Sequence, residues 1–326
     1  MNFYASQGFL DAAAAVWFKG RDTAIENVRI GGDVLRLLVV DGRHIVTRLQ
    51  FLDVHQPLAP AEVQGPVRQG RYARNVVRGV IGQAEWKPGA FCAFDPAPFV
   101  DWSGFSCFDA FKTLLLARHK GLLRDRERRW RNLAATRGEL CFTMNDPGAD
   151  VLPAARQWKR RQLRATGIAD WFARRETMEF LETLRERGLL VSSTLRAGGR
   201  LVSAWIGFVH EGCWSGWVFG YDPDFAKFSP GHKLIWSMLE ESFRLGHREF
   251  YFSEGGEDYK LLYATHCRLL GEIGRPPLAR RVTLLAKRAL GERNPGLLRA
   301  VQDIKREAAA ALVRRFASLP APRAGS

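Results

Sequence analysis

The chain has 326 residues, 46% apolar and 25% charged, which is enough to bury a core or two without metals or disulfide staples. Five scattered cysteines, Cys92, Cys107, Cys141, Cys213 and Cys267, form no C-x-x-C pair and exclude a secreted disulfide framework. The net charge of +15 comes mainly from arginine, 39 of the 49 basic residues; residues 275–326 alone hold 12 basic against 3 acidic side chains, so the rest of the chain is only mildly basic.

In chain order, residues 34–40 form an apolar β-rich run, and Asp41-Gly42 signals a hairpin with a returning strand over 44–52. A loop over 57–66 and a basic stretch over 68–78 follow. A strand is expected over 91–94, punctuated by Asp95-Pro96-Ala97-Pro98. Phe108, Phe111, Leu114 and Leu115 recur at helical spacing within 107–118. The charged stretch 124–133 reads as a solvated helix face around Trp130 and Leu133. Asn145-Asp146-Pro147-Gly148 is the clearest internal break, and the domain boundary is placed there, giving units 1–148 and 149–274 and a tail from 275.

Beyond the break, residues 152–166 and 170–187 read as helices, the second stopped by Gly188. Strands over 189–195, 201–209 and 213–221 are joined by short turns at Ala197-Gly198-Gly199-Arg200 and Glu211-Gly212, which makes an antiparallel meander. The period then changes. Ser229-Pro230-Gly231 opens a helix with Leu234, Ile235, Met238, Leu239 and Phe243 apolar, closed by Gly246. Residues 249–252 and 267–273 read as strands, with a short element at Tyr259-Lys260 between them. In the tail, Asn294-Pro295 starts a helix whose stripe Leu297, Val301, Ile304, Ala308 and Leu312 is flanked by arginines; residues 320–326 are expected to be disordered.

A helix opening of this kind is an anion site in waiting, because first-turn N–H groups have no intrahelical partner. Ser229 suits the cap, Pro230 the first position, and Gly231 a close approach of phosphate to backbone; His232 and Lys233 follow. No G-x-x-x-x-G-K-[ST] loop, strand-anchored G-x-G-x-x-G, H-E-x-x-H or G-x-S-x-G is present, which argues against a P-loop, a dinucleotide fold, a zinc site and a hydrolase elbow, and no metal is expected.

The order of meander, helix and strand resembles the layout of a GNAT acyl-CoA N-acyltransferase domain. Tyr221-Asp222-Pro223, Ser229-Pro230-Gly231 and the block Phe252-Ser253-Glu254-Gly255-Gly256-Glu257-Asp258-Tyr259-Lys260 resemble the C-terminal half of CelD-like, cellulose-biosynthesis-associated acetyltransferases. Those have a Y-D pair, an S-P-G turn and a block similar to D-F-T-x-G-D-E-P-Y-K. The resemblance holds over about 158–265 and thins over the first 150 residues, which look like the degenerate half of a FemAB-like chain built from two GNAT-like halves. Tyr251, Gly256 and Asp258 depart from the family's Asp, its second acidic residue and its Pro.

The resemblance implies an α+β fold of two GNAT-like halves with a basic helical tail, and acetyl-CoA or another acyl-CoA as donor, its diphosphate at Ser229, Gly231, His232 and Lys233. Glu257, then Asp222, is the candidate base that takes the amine's proton, and Tyr259 the acid that protonates the leaving thiolate. Lys260, Tyr221 and Glu254 are candidate substrate contacts. The implied acceptor is an amine, on a small molecule or a saccharide such as an amino sugar or cell-surface polysaccharide precursor. The alternatives are a FemAB-like transferase with an aminoacyl-tRNA donor, and a catalytically degenerate relative that binds nucleic acid or an anionic membrane through its basic tail. With no signal-like or bilayer-long apolar run, a cytoplasmic protein is expected, peripheral to the inner membrane face if the tail docks there.

Overall fold

The computed structural model describes residues 2–69, 77–81, 95–255 and 257–274, together with Val282. In chain order the elements are α1 (Gln7–Trp17), β1 (Thr23–Ile30), β2 (Asp33–Val40), β3 (His44–Ile45), β4 (Val67–Arg68), β5 (Val77–Ile81), β6 (Asp95–Asp101), α2 (Phe108–Arg137), β7 (Leu140–Thr143), α3 (Val151–Thr166), α4 (Arg175–Glu186), β8 (Val191–Ala197), β9 (Arg200–His210), β10 (Cys213–Tyr221), α5 (Pro230–Arg244), β11 (Glu249–Tyr251), α6 (Asp258–Tyr263) and β12 (His266–Ile273).

They build a mixed α+β fold with two sheets, a small one in the order β3-β2-β1-β4 and a large one in the order β5-β12-β6-β11-β10-β9-β8-β7. The expected meander is β8-β9-β10, antiparallel throughout. Along β9, Ala204, Ile206 and Phe208 join one core cluster while Val202 and Trp205 join another. Helices α1, α3 and α4 cover the first face and α2 and α5 the second, so the strand is apolar on both sides.

The large sheet mixes residues from before and after the 145–148 break. Strand β7 pairs with β8, and β6 fills the slot between β11 and β12. The N-terminus also packs on the meander: the Phe3 ring stacks on Phe208 with centroids 3.9 Å apart, and Trp217 Nε1 donates to Tyr4 Oη at 2.9 Å.

Several local expectations change. The returning strand over 44–52 shrinks to His44–Ile45, after which the chain leaves the sheet as an irregular loop. Asp95-Pro96-Ala97-Pro98 is the start of β6 rather than a break. Its prolines are tolerated because β11 reaches only as far as Phe99, so one edge of β6 lacks a strand partner there. The segments 107–118 and 124–133 merge into α2, kinked at His119, and the charged stretch buries Trp130 and Leu133. Residues 170–187 divide into a 3-10 turn at Trp171–Ala173 and α4. Cys107, Cys141, Cys213 and Cys267 are free thiols. The strand expected over 91–94 and the basic tail from 275 lie outside the described residues. Among the described residues no helix is long and apolar enough to cross a membrane.

Candidate active site

The central feature is a fork in the large sheet. β10 runs parallel to β11 only from Cys213 to Ser215, opposite Glu249 to Tyr251. Past that point the two chains diverge, and among the described residues the facing edge of β10 has no strand partner. Two features of the sequence set the geometry. A bulge falls between Gly216 and Val218, which turns Trp217 out of register. Ser253, at φ 61°, swings the outgoing chain away from β10, while its Oγ donates to the Gly216 carbonyl at 2.6 Å and closes the base of the fork. Gly216 has no substitute here: a Cβ would lie 1.8 Å from Nε1 of the buried Trp205.

Three cavities follow one another along this fork. A cleft of about 630 Å³ at the start of α5 includes Arg126, Arg129, Lys159, Arg161, Phe219, Tyr221, Gly231 and His232 in its wall. A second cavity of about 550 Å³ fills the fork itself and shares Lys159, Phe219, Glu257 and Tyr259 with the first. A third, about 760 Å³, lies under the loop 47–53 and shares Asp53, Trp171, Trp217 and Glu254 with the second.

The helix opening departs from the expected diphosphate cradle. Ser229 occupies the cap position in the left-handed region, φ 55°, and its side chain makes no capping bond; its Oγ accepts from Arg126 Nη1 instead. The Ser229 carbonyl takes the His232 and Lys233 amides at 3.1 and 3.4 Å, and the Ser229 amide donates to the Ala226 carbonyl. Of the expected amides, Gly231's has no protein partner among the described residues. Packing by itself requires Gly231, because a Cβ would meet Phe219 Cζ at 2.6 Å. Lys233 turns away and holds its ammonium over the Trp130 ring. The cationic lining of the cleft comes instead from α2 and α3. Arg126 carries a buried Nε with no partner among the described residues, a group that calls for an acceptor. Lys159 is held below the usual lysine range by burial, against the pull of Glu257.

The remaining candidates separate. Tyr259 lines both cleft and fork, its ring 5.2 Å from Phe219, and burial together with nearby Glu257 pushes its phenol well above the usual tyrosine range. Glu257 stands on the wall shared by the same two cavities, half-exposed and paired with Lys260 Nζ at 2.9 Å. Lys260 is 5% exposed and also donates to the Glu254 carbonyl. Tyr221 lies at the cleft mouth and Glu254 between the second and third cavities. His232 bonds Tyr263 Oη at 3.0 Å, and burial with Arg126 nearby lowers its pKa to about 4, so it is neutral at pH 7. Asp222 is not brought to the fork. Arg200 donates to its carboxylate at 2.7 Å, and the same group caps the 3-10 turn at Pro223–Phe228 through the Asp224 amide. Both bonds commit it to the turn after β10.

Sequence reasoning missed Asp53, Arg126, Lys159, Trp171 and Trp217. Arg126 sits in the charged stretch 124–133 that reads as a solvated helix face, Lys159 in a helix with no site signal of its own, and Asp53 just beyond the strand expected over 44–52, in no predicted element. Only the folding of the 47–53 loop across the sheet brings Asp53 to the fork.

The meander, its fork and α5 lie within the stretch that resembles an N-acyltransferase domain of the GNAT type. Residues 122–261 match the family model described as an acetyltransferase (GNAT) domain. A conserved protein of unknown function from Bacteroides thetaiotaomicron shares the fold, with TM-score 0.51 and 11% identity over 83% of this chain and 90% of that one. L-PGS from Bacillus licheniformis aligns at TM-score 0.46 and 10% identity over 90% and 97% of the two chains. A GCN5-related N-acetyltransferase from Kribbella flavida aligns at TM-score 0.38 and 12% identity over 86% and 99%. A search of curated proteins returned no match.

Proposed function

We propose that the chain transfers an acyl group from acyl-CoA to an amine, with the donor in the cleft at α5 and its thioester in the fork. The observation that carries the reading is the fork: β10 leaves β11 at Ser215, and the opened edge is continuous with a cationic cleft. Arg126, Arg129, Arg161, Lys159 and the Gly231 amide supply positive charge for a diphosphate, which is the role first expected of Ser229, His232 and Lys233. The unpaired backbone edge of β10 is placed to hold an extended amide-bearing arm as a neighbouring strand would.

Tyr259 stays protonated near neutral pH and suits the acid that meets the departing thiolate. Glu257 meets the positional requirement for a base and Asp222 does not. Because Glu257 is already paired with Lys260, its proposed part is to hold that buried ammonium at the fork. The CelD-like block over 252–260 supports an amine acceptor in cell-surface polysaccharide work, in the cytoplasm.

The test is thermal stability with acetyl-CoA, longer acyl-CoAs and free CoA. A ligand at 100 times its Kd stabilises by about 2.7 kcal/mol, which raises the midpoint by several degrees. Stabilisation by an acyl-CoA supports the reading. No shift with any of the three refutes it and favours a donor carried by tRNA.

A further inference from the structure

The third cavity has no part in holding the donor, and its walls come largely from the N-terminal half. Loop residues 47–53 form one side, Trp171 and Trp217 another. Asp53 stands where this cavity meets the fork and lines both. Among the described residues its carboxylate makes no hydrogen bond and no ion pair. Arg48 and Arg174, which line this cavity but not the fork, likewise have no carboxylate within ion-pair distance among the described residues, whereas Arg78 is paired with Glu272 at 2.9 Å. One uncommitted carboxylate faces the fork, and two uncommitted guanidinium groups lie further out.

We propose that this cavity is the acceptor site, that it takes an amine which also carries a carboxylate or phosphate, and that Asp53 is the base that deprotonates it. The inference rests on the acyltransferase reading above. In the proposed sequence the substrate ammonium gives one proton to Asp53. The neutral nitrogen attacks the thioester carbonyl, forming C–N; the intermediate collapses, C–S breaks and the sulfur leaves with its electron pair. Tyr259 gives its proton to that sulfur and regains one from the acylated nitrogen. The products are the amide and free thiol, and Asp53 returns its proton to water. Arg48 and Arg174 hold the anion, and the rings of Trp171 and Trp217 flank the body of the substrate.

The surroundings of Asp53 suit the role. Burial raises its pKa to about 6, and the Lys260 ammonium opposes that rise. The phenols of Tyr4 and Tyr251 also feel its charge and are themselves pushed up by burial. Glu254, Asp170, which is paired with Arg160, and the Arg78–Glu272 pair complete the ionisable lining. A carboxylate of this kind is ionised at pH 7 and basic enough to take a proton from an ammonium on its way to attack.

The experiment measures thiol release from acetyl-CoA with matched acceptors: lysine against 1,5-diaminopentane, and glucosamine 6-phosphate against glucosamine. The wild-type chain is expected to prefer an anion-bearing member by about tenfold or more in kcat/KM, a difference of about 1.4 kcal/mol. Which pair shows the preference separates carboxylate from phosphate. In the Arg48→Ala/Arg174→Ala variant that ratio falls to about one. Asp53→Asn is expected to lower kcat about 100-fold with every acceptor while acetyl-CoA still raises its melting temperature. Asp53→Glu is expected to recover part of the rate, and the wild-type rate to fall as pH drops through about 6. If acetyl-CoA stabilises wild type but Asp53→Asn keeps its rate, or neither pair shows a preference, the inference is overturned while the acyltransferase reading stands. If acetyl-CoA binds neither protein, both fall.

Discussion

The loop that carries Asp53 is anchored two residues on by His55, and that anchor makes the fold sensitive to acid. His55 is 5% exposed, its Nε2 is buried with no partner among the described residues, and burial lowers its pKa from 6.5 to about 4. The unfolded chain therefore binds this proton more readily than the folded one. Stability is complete above pH 6.5 and falls as the pH drops towards 4. At pH 5 the loss from this one side chain is about 2 kcal/mol. His232, also lowered to about 4, acts in the same direction, while Asp53, raised to about 6, opposes by about 1 kcal/mol. The total is thus a poor test, and the difference made by His55→Gln is a good one. The backbone bonds of residue 55 to Gly79 and Ile81 do not depend on the side chain. Urea unfolding at pH 8 and pH 5 should give a drop smaller by about 2 kcal/mol in the variant than in wild type. An equal drop in the two proteins would show that His55 is not held neutral by burial.

Four further outcomes follow from the site. Tyr259→Phe should lower turnover about 100-fold with little change in acetyl-CoA affinity, by steady-state kinetics and calorimetry; unchanged turnover removes the phenol from the acid role. Gly231→Ala drives the Phe219 ring towards the cleft, so acetyl-CoA affinity should weaken about tenfold, at a stability cost of about 1–3 kcal/mol. Gly216→Ala collides with Trp205 inside the core and should cost about 4 kcal/mol or more, read from the urea midpoint. Asp222→Asn should leave turnover within about twofold and stability within about 1 kcal/mol, since its partner Arg200 is largely exposed; a large loss of turnover would return Asp222 to the chemistry.

The sequence by itself determined the elements whose signal is local. The meander is announced by apolar runs between Gly-containing turns, and α5 by Pro230 at its start, a helical stripe and Gly246 at its end. The 252–260 block stands out as a motif for the same reason, because its residues are neighbours in the chain. The parts that only the tertiary structure decided depend on contacts distant in sequence. The short strand β7 pairs with β8 across about fifty residues, and β6 passes between β11 and β12 despite Pro96 and Pro98 because β11 stops at Tyr251, opposite Phe99. The expected diphosphate cradle at 229–233 was drawn from the helix opening alone. Two of its four amides turn to the Ser229 carbonyl and a third to Ala226, and the positive charge of the cleft comes from Arg126 and Lys159 on other helices. Asp53 gives no sign of itself in the sequence, since a carboxylate in a loop reads as solvated. Its burial, and with it its chemistry, exists only once the 47–53 loop has closed over the fork.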